Sequence, residues 1–415
     1  MMKKVIAFLL SIGPGIFCIG YTVGTGSVTS MAKSGSQYGS QLLWVLALSC
    51  LFSWALMEAY GRYAVVTGKT AINSFKTSFK FGKPVAVLVI LGIVTGQWNS
   101  LSGIVGLSSN AIYEIIRLSF PQLNPDNYWA VLGIAVVILI ILYALLIIGK
   151  YSFFEKVLIF FVTVMGLSFL VSMFIVLPPA GEILEGFVPS VPSDPGGNLM
   201  VAAFVGTTMA APTFVVRPLL MQGKGWNEQH IKHQERDALS SALLMFLISG
   251  SIMITAMGAM YYKGLTITRV IDMVTTLEPV AGKFAVALFM TGALSAGISS
   301  IFPILMVAPL LIADYKNGKL DTSSPRFRIL TAIACVVGLS VPILGANPIV
   351  AQIATQVANV FVLPLVIACM IYLINRGDLM KKHKAGALLN ICLALALVFS
   401  LIISYLGFKA LINFF

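Results

Sequence analysis

The stretch YTVGTGSVTS, residues 21–30, lies inside a long apolar segment near the start of the chain and contains two glycines and five Ser or Thr side chains. Each glycine costs roughly 1 kcal/mol relative to alanine in a helix interior. Unwound backbone is tolerated at bilayer depth only where it lines a protected cavity. The stretch therefore predicts an interrupted membrane helix whose freed carbonyls and hydroxyls face a solute.

The rest of the chain has the composition of a polytopic membrane protein. Of its 415 residues, 58% are hydrophobic and 10% are charged, whereas soluble domains contain about 25% charged residues. An apolar run of roughly 20 residues is long enough to cross the hydrocarbon core of a bilayer. We predict one all-α integral membrane domain, residues 1–415, with eleven spans near residues 5–34, 40–62, 84–112, 128–149, 153–177, 198–222, 238–262, 279–313, 327–344, 348–375 and 385–413.

The net charge of +12 reflects membrane topology and not a nucleic-acid surface. Most Lys and Arg residues fall on one side of the predicted spans, and the loop 178–197 on the other side has none. Because cytoplasmic loops of membrane proteins are enriched in basic residues, we predict a plasma-membrane protein with a cytoplasmic N-terminus and an extracytoplasmic C-terminus.

A second interruption is predicted at VGTTMAAPTF, residues 205–214, which echoes VGTGS at residues 23–27. Pro212 cannot donate a helical hydrogen bond there. Interrupted helices in corresponding places of two halves indicate a transporter built from inverted repeats, here 1–177 and 198–375 with an extra helix at 385–413. A packing face of small residues is the alternative. The candidate substrate-binding residues at the two interruptions are Thr22, Gly24, Thr25, Gly26, Ser27, Thr207, Thr208, Ala210, Pro212 and Thr213.

Several segments resemble the Nramp family of divalent-metal transporters in order and in register. They are GPG at 13–15, YAVVTGKT at 63–70, YSFFEKVLIFFVTVMGLSFLV at 151–171, TGALSAGISS at 291–300 and IATQVANVFVLPLV at 353–366. The resemblance covers nearly the whole chain. It implies the LeuT-type (APC) fold, with an inverted five-plus-five repeat, a further eleventh span, and interrupted spans one and six.

The chain departs from the family pattern where the family binds metal. The family's Asp-Pro-Gly-Asn motif in span one corresponds to residues 24–27, which read Gly-Thr-Gly-Ser here. Its Met-Pro-His motif in span six corresponds to residues 210–212, which read Ala-Ala-Pro. The resemblance therefore implies a retained scaffold with an altered, carboxylate-free site. The candidate metal ligands that remain are Ser27, Thr207 and Gln356.

The family's acidic residues in span three, which help to carry protons, correspond to Gln97 and Ser100, while a glutamine of span ten is kept as Gln356. Amide and hydroxyl groups do not titrate near neutral pH. We therefore expect no proton coupling by the family's route, and we include Gln97, Ser100 and Gln356 among the substrate-binding candidates.

Two charged residues are candidates for gating or coupling. Glu58 is the only acidic residue that the sequence places well inside a span, and Arg62 lies one helical turn later, where it can pair with Glu58. Arg217 follows the second interruption, at a position where the family has histidine. It either snorkels to the cytoplasmic surface or serves as a gate or an anion contact.

From the sequence we expect a transporter with a divalent cation as its substrate, bound at an altered site, and two alternatives remain open beside it. They are transport of a small polar organic solute and a non-transporting membrane sensor. We expect no enzyme activity and no cofactor, because no catalytic or phosphate-binding motif is present. The expected partners are a small solute or divalent cation and the lipid bilayer, without nucleic acid.

Overall fold

The computed structural model describes residues 13–124, 127–148, 151–268 and 270–414. Within these ranges the chain is helical and contains no strand. Ten of the described helical segments are long and apolar enough to cross a membrane. The shorter helices of residues 15–38 make up the described part of span one, so the predicted all-α membrane fold is confirmed.

The helices are numbered in chain order. They are α1 (Gly15–Thr22), α2 (Thr25–Tyr38), α3 (Leu43–Thr67), α4 (Ala71–Ser78), α5 (Gly82–Ser119), α6 (Tyr128–Ile148), α7 (Tyr151–Ile175), α8 (Ala180–Glu185), α9 (Pro195–Thr208), α10 (Ala211–Gly223), α11 (Ile231–Met260), α12 (Val270–Asn317), α13 (Pro325–Gly338), α14 (Ser340–Leu344), α15 (Pro348–Asn359), α16 (Leu363–Asn375), α17 (Gly377–Met380) and α18 (Ala387–Phe414). The backbone of α12 is non-helical at Gly282, which separates a first helix from the membrane-spanning part, Gly282–Asn317. Spans one, six, nine and ten are the pairs α1–α2, α9–α10, α13–α14 and α15–α16. The other spans are α3, α5, α6, α7, α11, α12 and α18.

Spans one and six are both interrupted, as the sequence predicts. Span one ends its first half at Thr22 and resumes at Thr25, and span six ends its first half at Thr208 and resumes at Ala211. Pro212 is the second residue of the resumed helix, where a backbone N–H has no helical acceptor, so proline is well tolerated there. The exact limits of the two repeats stay a prediction.

Span ten is also interrupted, which the sequence analysis did not predict. Its first half ends at Asn359 and its second half begins at Leu363, with Pro364 in the first turn. Proline at this place is tolerated for the same reason as in span six. Pro364 was therefore the available sequence signal for this third interruption.

The interrupted spans lie at the centre of the bundle. In span six, every residue of the most apolar 18-residue stretch is buried by protein. In spans four and eleven, only 28% of the residues of the corresponding stretch are buried. Span eight packs against spans three and five, and span seven packs against spans one and two. Spans four and eleven are therefore peripheral and face lipid, while spans one, three, six and ten surround a common core.

The first halves of spans six and ten meet backbone to backbone. Gly206 lies so close to span ten that a Cβ atom there would come within 1.8 Å of the main-chain oxygen of Gln356. Only glycine permits this approach, because main-chain atoms of a packed helix cannot move aside cheaply. This contact holds Gln356 next to the interruption of span six.

We predict that Gly206→Ala lowers the apparent melting temperature of the detergent-purified protein, with a cost of about 1–3 kcal/mol from overpacking. Gly133→Ala is the matched control, because no heavy atom lies within 4 Å of the Cβ position in that helix. The control should melt at or above the wild-type temperature. Equal melting temperatures for the two variants would contradict the close contact between spans six and ten.

Candidate functional site

Three carbonyl groups at the end of α1, those of Gly20, Tyr21 and Thr22, accept hydrogen bonds from side-chain hydroxyls. The last helical bond of this half is from Val23 N–H to the carbonyl of Ile19, and the chain then departs from helical geometry at Gly24. Carbonyls at the end of a helix need other donors when they are buried. Side-chain hydroxyls from several spans provide these donors, so the interruption is a point where spans meet.

The interruptions of spans one and six contact each other directly. The hydroxyl of Thr207 donates to the carbonyl of Thr22 at 3.1 Å, and Ser27 donates to the same carbonyl at 2.9 Å. Gly26 lies against Thr207 and Gln356, since a Cβ atom at Gly26 would be 2.3 Å from the Thr207 hydroxyl and 2.8 Å from the Gln356 amide nitrogen. The structure thus brings spans one, six and ten together at one place.

The interruption of span six is also stabilised by a neighbouring span. Pro212 cannot donate to the carbonyl of Thr208, which instead accepts a hydrogen bond of 2.9 Å from the hydroxyl of Ser53 in span two. Thr213 donates through its hydroxyl to the carbonyl of Ala210 at 2.7 Å. Among the residues that the structure describes, the buried Thr208 hydroxyl has no hydrogen-bond partner.

A chain of neutral side chains connects span three with span ten beside the two interruptions. Gln97 donates to Asn359 at 3.1 Å, and Asn359 donates to Gln356 at 3.2 Å. Ser100 accepts hydrogen bonds from Gln356 at 3.1 Å and from Gln352 at 3.0 Å. All five side chains are buried, and we call this set the amide network.

Most of the predicted site residues are therefore close together in space. The group around the Thr22 carbonyl and the amide network contains Thr22, Gly26, Ser27, Thr207, Gln97, Ser100 and Gln356. Thr208, Ala210, Pro212 and Thr213 lie at the interruption of span six itself. Gly24 faces span eight instead, and the side chain of Thr25 lies outside the described residues.

The sequence analysis missed two members of the amide network, Gln352 and Asn359. They lie four residues before and three residues after Gln356, so the three side chains form one polar stripe along a helix. This spacing was visible in the sequence. The hydrogen bonds to Gln97 and Ser100 of span three were not visible in the sequence, because they depend on the rotation of spans three and ten about their axes.

The site formed by the interruptions and the amide network contains no charged side chain among the described residues. No group of three or more His, Cys, Asp or Glu side chains suitable for a metal occurs in the described part of the chain. The available ligands are carbonyl, hydroxyl and amide oxygens. Such hard oxygen ligands suit Mg²⁺ and Ca²⁺, although sites for these two ions normally include carboxylates. They are less suited to Mn²⁺ or Fe²⁺ in a site where a softer sulfur ligand would bind the ion.

Arg217 does not snorkel to a surface. Its side chain is fully buried and pairs with the equally buried Asp237 at 2.7 Å. Asp237 also accepts from the backbone N–H of Gly15, the first residue of α1, at 3.1 Å. The pair therefore joins spans one, six and seven. Asp237 was missed because the predicted span seven began one residue later, at 238.

Glu58 pairs with Arg62 as the sequence predicts. The Arg62 guanidinium lies 2.6 Å from Glu58 and 3.1 Å from Glu235, and Gln234 donates to Glu58 at 2.7 Å. These contacts join spans two and seven. Gln234 and Glu235 lie just before Asp237 in span seven, and neither belongs to the amide network. Glu58 therefore lies in a charged cluster, and its described contacts do not include the interruptions of spans one and six.

The expectation that Glu58 is the only acidic residue well inside a span is wrong. Asp237, Glu114 and Asp314 are also buried in helices, because α5, α11 and α12 extend beyond the predicted span limits. Glu114 pairs with Arg117 at 2.8 Å, and Asp314 accepts from the backbone N–H groups of residues 72 and 73. Within the described part of the chain, neither Asp237 nor Asp314 bonds to the interruptions of spans one and six.

With this geometry established, comparison with known proteins places the chain among transporters. A family model for natural resistance-associated macrophage protein-like (Nramp) proteins matches residues 15–409. The divalent metal cation transporter MntH of Verminephrobacter eiseniae is 23% identical over 397 residues, covering 92% of this chain and 85% of the relative.

Solved structures agree with the fold. A mutant of the Eremococcus coleocola manganese transporter superposes with a TM-score of 0.71 at 13% identity, covering 98% of this chain and 86% of that chain. MhsT in complex with L-phenylalanine superposes with a TM-score of 0.66 at 15% identity, covering 96% and 98%. The predicted LeuT-type fold is confirmed by these neighbours together with the interrupted spans one and six.

We predict that Asp237→Ala destabilises the protein by about 3–5 kcal/mol, because it leaves the Arg217 charge buried without a counter-charge. The double variant Arg217→Met/Asp237→Leu should recover much of this loss, since it removes both charges. Asp378→Ala is the control, because its ion pair with Arg376 lies at the surface, where water screens the attraction and the pair contributes little to stability. Thermal unfolding in detergent measures all three. A double variant no more stable than Asp237→Ala would count against the buried-charge explanation.

Proposed function

This chain belongs to the natural resistance-associated macrophage protein-like (Nramp) family, and from that membership we propose that it is a plasma-membrane transporter of a divalent cation with an altered, carboxylate-free site. The observation that carries the proposal is the direct contact of the interrupted spans one and six through the Thr207–Thr22 hydrogen bond. In inverted-repeat transporters, substrates bind where two discontinuous helices meet. We further propose that the chain has no enzyme activity and that its N-terminus is cytoplasmic.

The proposed cargo site uses oxygen atoms that already lie together. The carbonyl of Thr22 and the hydroxyls of Ser27 and Thr207 form one group, and the Gln356 amide lies beside it. A divalent cation held by neutral oxygens lacks the attraction of a carboxylate. It therefore keeps part of its hydration shell, as Mg²⁺ commonly does in proteins.

In this proposal the cargo crosses the membrane by alternating access. A bound cation takes over the oxygen of Thr22, so that Thr207 no longer needs to donate to that carbonyl. The Thr207–Thr22 bond is then free to break as the halves of spans one and six move apart. The Arg217–Asp237 pair, which holds the N-terminus of α1 to span seven, must rearrange if that half-helix swings away.

The amide network supports transport without proton coupling by the family's acidic route. Gln97 and Ser100 occupy the positions of the family's acidic residues, and both are engaged by amides of span ten. Neither group titrates near neutral pH. The buried carboxylates Glu58 and Asp237 are paired with arginines and lie apart from this network.

The second candidate function is transport of a small polar organic solute. One observation favours it: the amide network offers both donors and acceptors, and the buried side-chain oxygen of Gln352 has no hydrogen-bond partner in the described part of the chain. Buried amides that present both kinds of group match a hydrogen-bonding solute better than a bare ion. Calorimetric titration with Mg²⁺, Ca²⁺, Mn²⁺ and a set of neutral amino acids distinguishes the two candidates.

We predict that the wild-type protein binds Mn²⁺ weakly and that Ser27→Asp strengthens Mn²⁺ binding. Two unit charges 4 Å apart interact by about 4 kcal/mol at an effective dielectric constant near 20. Since about 1.4 kcal/mol is a tenfold change in affinity, an added carboxylate should improve the Kd by about a hundredfold or more.

Ser27→Asn is the matched control, because it has nearly the same size as the aspartate variant and no charge. Isothermal titration with Mn²⁺ should show no gain for Ser27→Asn. Micromolar Mn²⁺ binding by the wild type, lost in Thr207→Ala, would show that neutral oxygens suffice and would overturn the expected weakness.

We also predict that cargo uptake into liposomes does not acidify their lumen. A pH-sensitive dye inside the vesicles measures this, with empty liposomes as the control. Cargo-dependent acidification that persists in Glu58→Gln would contradict the absence of a proton route through span three.

A further inference from the structure

A cavity of about 460 Å³ lies between spans three, ten and eleven. Its wall includes Thr95 and Asn99 of span three, Thr355 and Phe361 of span ten, and Leu411 of span eleven. Thr95, Asn99 and Phe361 are exposed, and span eleven is peripheral, so the cavity opens toward lipid. Cavities of about 300–1,000 Å³ hold small molecules in proteins. The cavity therefore has room for a ligand that arrives from the bilayer.

The cavity lies at the depth of the interrupted helices. Thr95 and Asn99 are near the middle of α5, well inside the bilayer. Gly96, on the same wall, packs against Asn359 where span ten is interrupted, since a Cβ atom at Gly96 would be 2.4 Å from the side-chain oxygen of Asn359. Asn359 in turn accepts a hydrogen bond from Gln97. The amide network is therefore directly behind the wall of the cavity.

The polar side chains of the cavity present oxygen atoms as acceptors. The hydroxyl of Thr95 donates to the carbonyl of Leu91 at 2.7 Å, and the Asn99 amide donates to the carbonyl of Thr95 at 2.8 Å. The hydroxyl of Thr355 donates to the carbonyl of Gln352 at 2.9 Å. In the described part of the chain, the side-chain oxygens of these three residues accept no hydrogen bond, and none of the described lining residues is charged. Polar groups without partners are costly at bilayer depth, so the cavity suits a ligand that brings hydrogen-bond donors.

We propose that the cavity binds a neutral amphiphile with a glycerol head and a single acyl chain, that is, a monoacylglycerol. Its hydroxyls donate to the oxygens of Thr95, Asn99 and Thr355, and its acyl chain lies against Phe361 and Leu411. The acceptors stand on two spans, so the two hydroxyls of the glycerol head serve them better than the single hydroxyl of an alcohol or a sterol. A charged head group would find no opposite charge on the described wall, and burial of an unpaired charge is costly.

A ligand in this cavity holds span ten against span three. The interruption of span ten forms part of the wall, and the Gln97–Asn359 bond joins the two spans just behind it. Alternating access requires the interrupted spans to move. A ligand that fits only the observed arrangement of these spans favours that arrangement and slows transport. This consequence rests on the proposed transport function, whereas the binding site does not.

Photolabelling tests the site in the absence of any cargo. The purified protein is placed in phosphatidylcholine nanodiscs, and the probe is 1-decanoylglycerol with a diazirine on its acyl chain. Mass spectrometry should find the label in residues 92–99 or 354–362. Unlabelled 1-decanoylglycerol should compete in a saturable way, 1-decanol should compete about threefold to tenfold more weakly, and the charged decyl sulfate should not compete. Label spread over the lipid-facing spans without saturable competition would overturn the proposal without the use of any variant.

Thr95→Val and Asn99→Leu test the acceptors, because each removes one side-chain oxygen at nearly constant volume. Each should weaken competition by 1-decanoylglycerol by about threefold to tenfold. Thr291→Val is the matched control, because Thr291 is an exposed threonine of span eight whose hydroxyl also donates to its own helix, at Ala287. Equal competition in the wild type and in both span-three variants would overturn the assignment of the site. A crosslinked dimer that the cavity-filling Ala358→Phe dissociates would assign the cavity to a second copy of the chain and would also overturn it.

Transport in liposomes then separates this proposal from the proposed function. 1-Decanoylglycerol should slow cargo uptake by the wild type and by Thr291→Val, and it should slow uptake by Asn99→Leu much less. Saturable labelling that depends on Asn99, found together with no uptake of any cation or amino acid tested, supports the monoacylglycerol site and rejects the proposed transport function. Cargo uptake by the wild type that 1-decanoylglycerol does not slow rejects the effect of the ligand on span ten.

Discussion

Buried backbone carbonyls at the ends of interrupted helices must find hydrogen-bond donors, and the centre of this protein is organised by that requirement. Water is scarce inside a bilayer, so the donors come from side chains of other spans. Thr207 supplies one to Thr22, Ser300 supplies one to Gly20, and Ser53 supplies one to Thr208. Since each of these bonds joins two different spans, the interruptions tie spans one, two, six and eight together.

The charges of the buried region are kept away from this centre. Arg217 and Asp237 neutralise each other at the start of α1, and Glu58 pairs with Arg62 between spans two and seven. The amide network and the helix interruptions are left neutral. A neutral site binds ions less tightly than a site with carboxylates, because the direct Coulomb attraction is smaller.

The two sides of the end of α1 have different surroundings. The carbonyl of Thr22 faces Thr207 and Ser27, while that of Gly20 faces span eight. The end of this one half-helix is thus bonded to span six and to span eight. The family scaffold is retained at low sequence identity. A shared fold does not determine which groups bind the ligand.

The sequence by itself determined the membrane class, the positions of the spans and the interruptions of spans one and six. These features depend on local properties, namely the hydropathy of each segment and the cost of glycine or proline within a helix. Only the tertiary structure decided which polar groups meet: Gln97 pairs with Asn359 across 262 residues, Ser300 reaches Gly20 across 280, and Arg217 finds Asp237. Such pairs depend on the depth and rotation of each helix. Packing across the whole bundle determines the depth and the rotation of each helix, so neither can be predicted from a local sequence pattern.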